Sequence, residues 1–233
     1  MAKHFYLKDD LHEKDLTLPR PLARRLHRVM RYKKGQEVAL FNGRDGLWRA
    51  VLLAPEDGTV RITEQIKPQP QAGGAHLFLA LAKRDAFERA VRQATELGAA
   101  HIHPVVTEFS VADKIKPERL ETIIIEAAEQ CERLTLPELH TPLPLKDVLE
   151  NQASGIFWGD EIPSDHPFAG WDHINSQGVL IGPEGGFSEQ ERQWLRGREN
   201  IIPTGLGTNI LRVDTAVCAA LTLFAQINAT RQT

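Results

Sequence analysis

The sequence predicts an α/β domain with a largely parallel sheet, preceded by a small β domain. Three observations carry this reading. Short strand-like runs separated by turn signals fill the N-terminal part, a Pro-, Gln- and Gly-rich stretch follows at Lys67 to Gly74, and apolar strand-length runs then alternate with helix-length segments to the end.

Taken in order, Pro21 to Tyr32 reads as a short helix, because Leu22, Leu26, Val29 and Met30 fall on one stripe. Arg24, Arg25, Arg28 and Arg31 fall on another side, so the basic residues share a face. Glu37 to Phe41, Leu47 to Leu53 and Thr59 to Gln65 read as strands, divided by Asn42-Gly43-Arg44-Asp45-Gly46 and Pro55-Glu56-Asp57-Gly58. The linker-like KPQPQAGG segment places a domain boundary between a β domain at residues 1–70 and a second domain at 75–233. In the second domain His76 to Ala82 is a nearly continuous apolar strand. Asp85 to Leu97 is a helix, opened by Asp85 and Glu88 at capping-box spacing and closed at Gly98. Ala100 to Val106, Gly155 to Trp158, Val179 to Ile181 and Asn200 to Pro203 are further strands. They alternate with helices near Pro117 to Arg133, Ser188 to Arg196 and Val213 to Ile227, while Ser164 to Gln177 reads as loop.

Composition narrows the function classes. With 233 residues, 42% hydrophobic and 25% charged, the chain is an ordinary globular one, neither collagen-like nor disordered. Cys131 and Cys218 form no CxxC pair, which excludes a disulfide-stapled scaffold and a cysteine-rich zinc site and suits a reducing, cytoplasmic setting. No secretion signal or membrane span is expected. The net charge of −3 conceals an asymmetry, +5 over residues 1–70 and −8 over 71–233. Arg20, Arg24, Arg25, Arg28, Arg31, Lys33 and Lys34 lie between Leu16 and Gln36 with no acidic residue among them, a pattern that fits a polyanion dock or a solvated helix face.

Ile181-Gly182-Pro183-Glu184-Gly185-Gly186-Phe187 follows a strand and precedes a helix opened by Ser188 and Glu191. Glycines there let the backbone approach a ligand, or simply make a tight turn. The loop is not GxGxxG, and neither a dinucleotide fingerprint nor a P-loop is present. A second loop, Thr204 to Asn209, runs through Ile210, Leu211 and Arg212 into the last helix. Arg212 needs an anionic partner, either a ligand or a carboxylate such as Asp214. His101 and His103, at strand spacing i, i+2, have no third ligand nearby in sequence and read as a structural pair, so no metal is expected. The final helix carries Val213, Ala216, Val217, Ala219, Ala220, Leu221, Leu223, Phe224 and Ile227 around most of its circumference, which predicts cover on more than one side.

Four ordered segments, Val91 to Gly98, Glu126 to Arg133, Ile181 to Gly186 and Leu206 to Ala216, together with Leu26 to Arg31 and Leu40-Phe41-Asn42-Gly43, resemble the signature of the RsmE-type ribosomal RNA methyltransferases of the SPOUT superfamily. The resemblance covers nearly the whole chain. It implies a PUA-like β-barrel domain, a SPOUT α/β domain with a deep trefoil knot at about 180–215 and a homodimer through the C-terminal domain. It also implies methyl transfer from S-adenosylmethionine to N3 of a uridine in 16S rRNA, free or in the assembled small subunit. Carried over residue by residue, Ile181, Gly182, Pro183, Glu184, Gly185, Gly186, Leu206, Gly207, Ile210 and Leu211, with Gly159 from a third loop, would hold the cofactor. Arg212 and Asp214 would be catalytic, Asp214 as a general base whose pKa burial would have to raise. Arg133 would join the basic segment at the RNA, with Glu96 and Glu129 as polar residues near the site. The chain departs from the family pattern at Asn209, Asp214 and Phe109. Because of Asn209 and Phe109, a non-catalytic RNA-binding or ribosome-assembly protein of the same fold is the rival expectation.

Overall fold

The computed structural model describes residues 3–111, 114–150, 152–160, 168, 170–171 and 176–230. Contacts divide the chain into two units, Met1–Ala72 with Ala128–Leu136, and Gly73–Ala127 with Pro137–Thr233.

The first unit is a mixed five-stranded sheet with one helical segment. Its elements are β1 (His4–Tyr6), β2 (Lys14–Thr17), α1 (Arg20–Arg24), a π-helical turn (Arg25–Val29), β3 (Glu37–Phe41), β4 (Leu47–Ala54) and β5 (Thr59–Lys67), with strand order β1-β3-β4-β5-β2. Only β1 pairs in parallel, on β3; the other pairs are antiparallel. Phe5, Leu7, Leu18, Leu26, Val38, Leu40, Ala50, Leu52, Val60 and Ile62 form its core. The turn before β5 requires Gly58, at φ 77°, because an added Cβ would lie 2.5 Å from Ala23 Cβ.

The helix differs from its expected periodicity. After one α-turn the backbone widens to i→i+5 bonding, with the Met30 amide donating to the Arg25 carbonyl. More residues per turn means a smaller rotation per residue, so the i, i+3 relation between Leu26 and Val29 fails. Leu26 is buried and Val29 is 74% exposed. Arg31, at φ 57°, ends the segment.

The second unit contains β6 (His76–Ala80), α2 (Arg84–Glu96), β7 (His101–Val106), α3 (Pro117–Cys131, its last turn grouped with the first unit), β8 (Glu138–Leu139), β9 (Leu143–Pro144), α4 (Leu145–Glu150), β10 (Gly155–Gly159), β11 (Ser176–Ile181), α5 (Glu189–Arg196), β12 (Ile201–Thr204) and α6 (Val213–Thr230). Among the described residues its seven strands all pair in parallel, in the order β12-β10-β11-β6-β7-β8 with β9 also on β7. A parallel sheet needs cover on both faces, which explains the near-continuous apolar strands. Phe78, Trp158 and Leu180 face a cluster with Leu149 and Leu195 of α4 and α5. Phe157 meets Phe224 of α6, and α2 packs on α6.

Two further expectations are corrected. Asp85 does not cap α2; Lys83 is the N-cap residue and its own side chain makes no cap bond, because the helix starts at Arg84, before Asp85. By contrast, Ser188 and Glu191 form the full capping box of α5. Ser176 and Gln177, expected as loop, begin β11; residues 164–167, 169 and 172–175 of that stretch lie outside the described residues. The short β1, β2, β8 and β9 and the six-residue α4 had no periodic signal long enough to announce them.

Candidate active site

The order β12-β10-β11 places the loops after β11 and β12 on either side of the C-terminal end of β10. Open parallel sheets bind ligands at the carboxyl ends of their strands, at just such a change in winding direction. A cavity of about 540 Å³ lies there, within the range of small-molecule sites. Gly159 and Asp160 line it from β10, Ile181 to Glu184 from the loop after β11, and Gly205 to Arg212 with Val213 and Ala216 from the last loop and the start of α6.

The walls are largely apolar side chains and exposed backbone. Gly207 sits at φ 120°, which a side-chain-bearing residue rarely adopts. Gly159 leaves room for Leu206 and Ile181, whose Cδ1 atoms lie 3.1 and 3.2 Å from where its Cβ would be. Gly182 is needed for packing as well, since its Cβ would come within 2.8 Å of the Phe187 ring. Ile210 is 83% exposed, an apolar side chain held at the cavity mouth without protein cover.

Two carboxylates on the lining are already committed. Asp160, its side chain 10% exposed, accepts from Arg192 at 2.5 Å and from Arg196 at 3.0 Å, both on α5. Glu184 accepts from the Lys83 amide at 3.2 and 3.3 Å, tying the loop after β11 to the start of α2. Arg212 is exposed, and its carbonyl accepts from Ala216 as α6 begins; among the described residues no carboxylate pairs with its guanidinium.

The expected residues are thus mostly gathered in one place. Gly159, Ile181, Gly182, Pro183, Glu184, Leu206, Gly207, Ile210, Leu211 and Arg212 line the cavity. Gly185 and Gly186 do not. Gly186, at φ 69°, closes a turn in which its amide donates to the Pro183 carbonyl, and the Cβ position of Gly185 faces Phe109 at 3.2 Å. Asp214 is also off the lining. Its carboxylate takes a 2.8 Å bond from Arg89 on α2, and that bond holds its pKa below the usual carboxylate value. The upward shift that a general base would require is therefore reversed, and Arg212 is not its partner. Arg192 and Arg196, which fix Asp160, gave no sequence signal because their partner is more than 30 residues away.

In the first unit Arg20, Arg24, Arg25, Arg28, Arg31, Lys33 and Lys34 are all exposed. Arg25 departs from the expected open patch, since it pairs with Glu129 at 2.7 Å and lies over the Phe5 ring. Glu129 also accepts from the Tyr6 amide, so it serves this unit's structure. Arg133 is half-buried and donates to Thr135 at 2.8 Å, and burial lowers its pKa. It is not an open surface cation. Among the described residues no helix is long and apolar enough to cross a membrane.

Comparisons with known proteins agree with this geometry. Residues 69–225 match an RNA methyltransferase domain model and residues 26–65 an RNA methyltransferase PUA domain model. The chain is 32% identical to the ribosomal RNA small subunit methyltransferase E of Rickettsia conorii over 85% of this chain and 83% of the relative. It is 34% identical to the protein of that name from Synechocystis, over 93% and 74%. A Legionella pneumophila methyltransferase solved with bound SAM superposes with a TM-score of 0.82 at 27% identity, covering 97% of this chain and 98% of that one. A ribosomal RNA small subunit methyltransferase E from Neisseria gonorrhoeae bound to S-adenosyl methionine shares the fold at a TM-score of 0.80 and 24% identity, covering 97% and 98%. The chain belongs to the ribosomal RNA small subunit methyltransferase E family of RNA methyltransferases.

Proposed function

We propose that this protein transfers a methyl group from S-adenosylmethionine to N3 of a uridine in small-subunit ribosomal RNA. The observation that carries the reading is the 540 Å³ cavity assembled from the ends of β10, β11 and β12. Its mixture of apolar side chains and close-approaching backbone suits an adenosine-bearing cofactor. Bound there, the cofactor supplies an already electrophilic methyl group on its sulfonium, so no other activation is needed.

The protein's own residues then hold and align. Leu206, Leu211 and Ile181 enclose the cofactor, and Gly207 lets the backbone come close. Asp160, held by its two arginines, and Glu184, held by Lys83, keep two of the loops in place. Arg212, exposed on the lining, would stabilise negative charge on a uracil oxygen or a neighbouring phosphate. With Asp214 engaged by Arg89, the imide proton passes to solvent, and Asp214 is a positioning residue for the first turn of α6.

Substrate grip falls to the PUA-type unit, whose exposed Arg20, Arg24, Arg28, Arg31, Lys33 and Lys34 fit phosphate contacts. We read residues 75–233 as the methyltransferase domain, with a knot across about 180–215, working in the cytoplasm as a homodimer. Support for the dimer comes from α6. Val217, Ala220, Leu221 and Phe224 are buried in the chain's own core, while Ala219, Leu223 and Ile227 keep partial exposure on another side.

The decisive experiment incubates the protein with labelled S-adenosylmethionine and either free 16S rRNA or small subunits from a strain lacking the enzyme. Modified positions are then mapped by primer extension. Label at a single uridine is expected. Tight RNA binding without label would favour the non-catalytic assembly role, which Asn209 and Phe109 keep in view.

A further inference from the structure

The opposite end of the parallel sheet holds a group of side chains that the methyl-transfer reading does not use. His76 opens β6, His101 and His103 stand two apart on β7, and Glu138 and His140 come from β8 and the residue after it. Pairing sets His76 beside His101 and Phe78 beside His103, so the i, i+2 spacing puts three imidazoles on one face of two neighbouring strands. His140 joins them because its amide donates to the Ile102 carbonyl.

Two nitrogen pairs result. His76 Nδ1 is 3.1 Å from His103 Nε2, and His101 Nδ1 is 3.1 Å from His140 Nε2. The pairs stack, with ring centroids 4.2 Å apart for His76 and His101 and 4.1 Å apart for His103 and His140. One ligand atom from each of His76, His101 and His103 lies within 4.8 Å of the others. Two imidazole nitrogens on one tetrahedral zinc ion are about 3.3 Å apart, close to the separation of His76 from His103, and a nitrogen of His101 lies within 4.8 Å of both. Glu138 Oε2, 3.4 Å from His101 Nδ1, supplies the carboxylate that commonly orients a metal-bound imidazole through its second nitrogen.

We propose that His76, His101 and His103 form a site for a zinc-class divalent ion, with Glu138 orienting His101 and solvent completing the coordination. All four imidazoles are only half-buried, so an ion can reach them. Burial and mutual repulsion lower the pKa values of His76, His140 and especially His103, to about 3, which keeps these rings in the neutral form that ligates. Binding between neutral rings moves the proton of the N–H···N bond to that ring's other nitrogen, with no net release. The site is about 10 Å along the strands from the cavity, since His76 pairs with Gly178 and the lining begins at Ile181. Its role is therefore to staple β6 to β7, apart from catalysis.

The test uses untagged, chelator-stripped full-length protein at neutral pH. One Co(II) per chain should bind with the visible absorption of four-coordinate nitrogen ligation, and one equivalent of Zn(II) should displace it. His101→Gln and His76→Gln should each weaken Zn(II) binding by about 100-fold or more, and Glu138→Gln by the roughly 10- to 100-fold typical of an orienting partner. Binding of S-adenosylmethionine to the wild type should be the same with and without zinc. Circular dichroism screens the variants, and if His101→Gln does not fold, His76→Gln carries the test. Absence of stoichiometric uptake by the wild type, or undiminished uptake by a folded histidine variant, would overturn the proposal.

Discussion

The two ends of the seven-stranded sheet are built on different principles. At the carboxyl ends of β10, β11 and β12 the cavity is made of loops, glycines and apolar side chains, and the two carboxylates on its lining, Asp160 and Glu184, are held by partners outside the cavity. At the amino ends of β6 and β7 the histidine cluster is made of side chains alone, projecting from regular strands. A parallel sheet gives its loops freedom at one end, where backbone can be shaped around a ligand. At the other, strand register alone brings side chains together. The first arrangement is sensitive to backbone conformation, the second to single ligands.

The largest expected effect on cofactor binding therefore lies in the backbone of the cavity. Gly207→Val places a β-branched residue at φ 120°, a strain of about 1–3 kcal/mol that the exposed loop would relieve by moving. S-adenosylmethionine binding by calorimetry should fall at least about 100-fold, which corresponds to about 2.7 kcal/mol. Thermal stability should change little. Wild-type affinity in this variant would mean that the loop after β12 does not shape the cofactor site.

Next comes Arg212, the lining charge that no carboxylate among the described residues pairs with. Arg212→Ala should slow single-turnover methylation at saturating RNA by about 100- to 1000-fold, the usual effect of removing one transition-state donor. Cofactor affinity should stay within a few-fold. An equal loss in RNA affinity, with the chemical step unaltered, would recast Arg212 as a binding contact.

The cavity end belongs to a stretch of chain with net charge −8, so most RNA affinity should come from the basic segment instead. Changing Arg24, Arg28 and Arg31 together to Ala should flatten the dependence of log K on log salt by about two to three units. Cofactor affinity should be unaffected. A wild-type slope in filter binding would make these arginines a solvated face only.

The smallest effect is expected at Asp214, just beyond the lining. Its folded-state pKa is depressed, so the ion pair stabilises the fold above the unfolded value of about 3.9, and the contribution is lost as acid titrates the folded carboxylate. Asp214→Asn should cost about 1 kcal/mol at neutral pH by urea titration, and the cost should shrink below about pH 4. Unchanged stability accompanied by abolished methylation would return Asp214 to the chemistry.

The sequence by itself determined the elements long enough to show their period and the loops that needed glycine. Ser188 and Glu191 announced α5, the apolar run from His76 announced a buried strand, and Gly182 and Gly207 marked the cavity loops, because each feature is encoded by neighbours in the chain. Tertiary structure decided the rest, for reasons of distance and geometry. Asp214 has Arg212 two residues away, yet it pairs with Arg89, which the packing of α2 on α6 brings to 2.8 Å. Val29 follows a correct apolar stripe, yet the π-turn carries it into solvent. His101 and His103 lacked a third ligand in sequence, but β6 and the segment after β8 supply His76 and His140 from 25 and 39 residues away. Local spacing fixes which side chains share a face of one element. Only strand order and register fix which elements share a site.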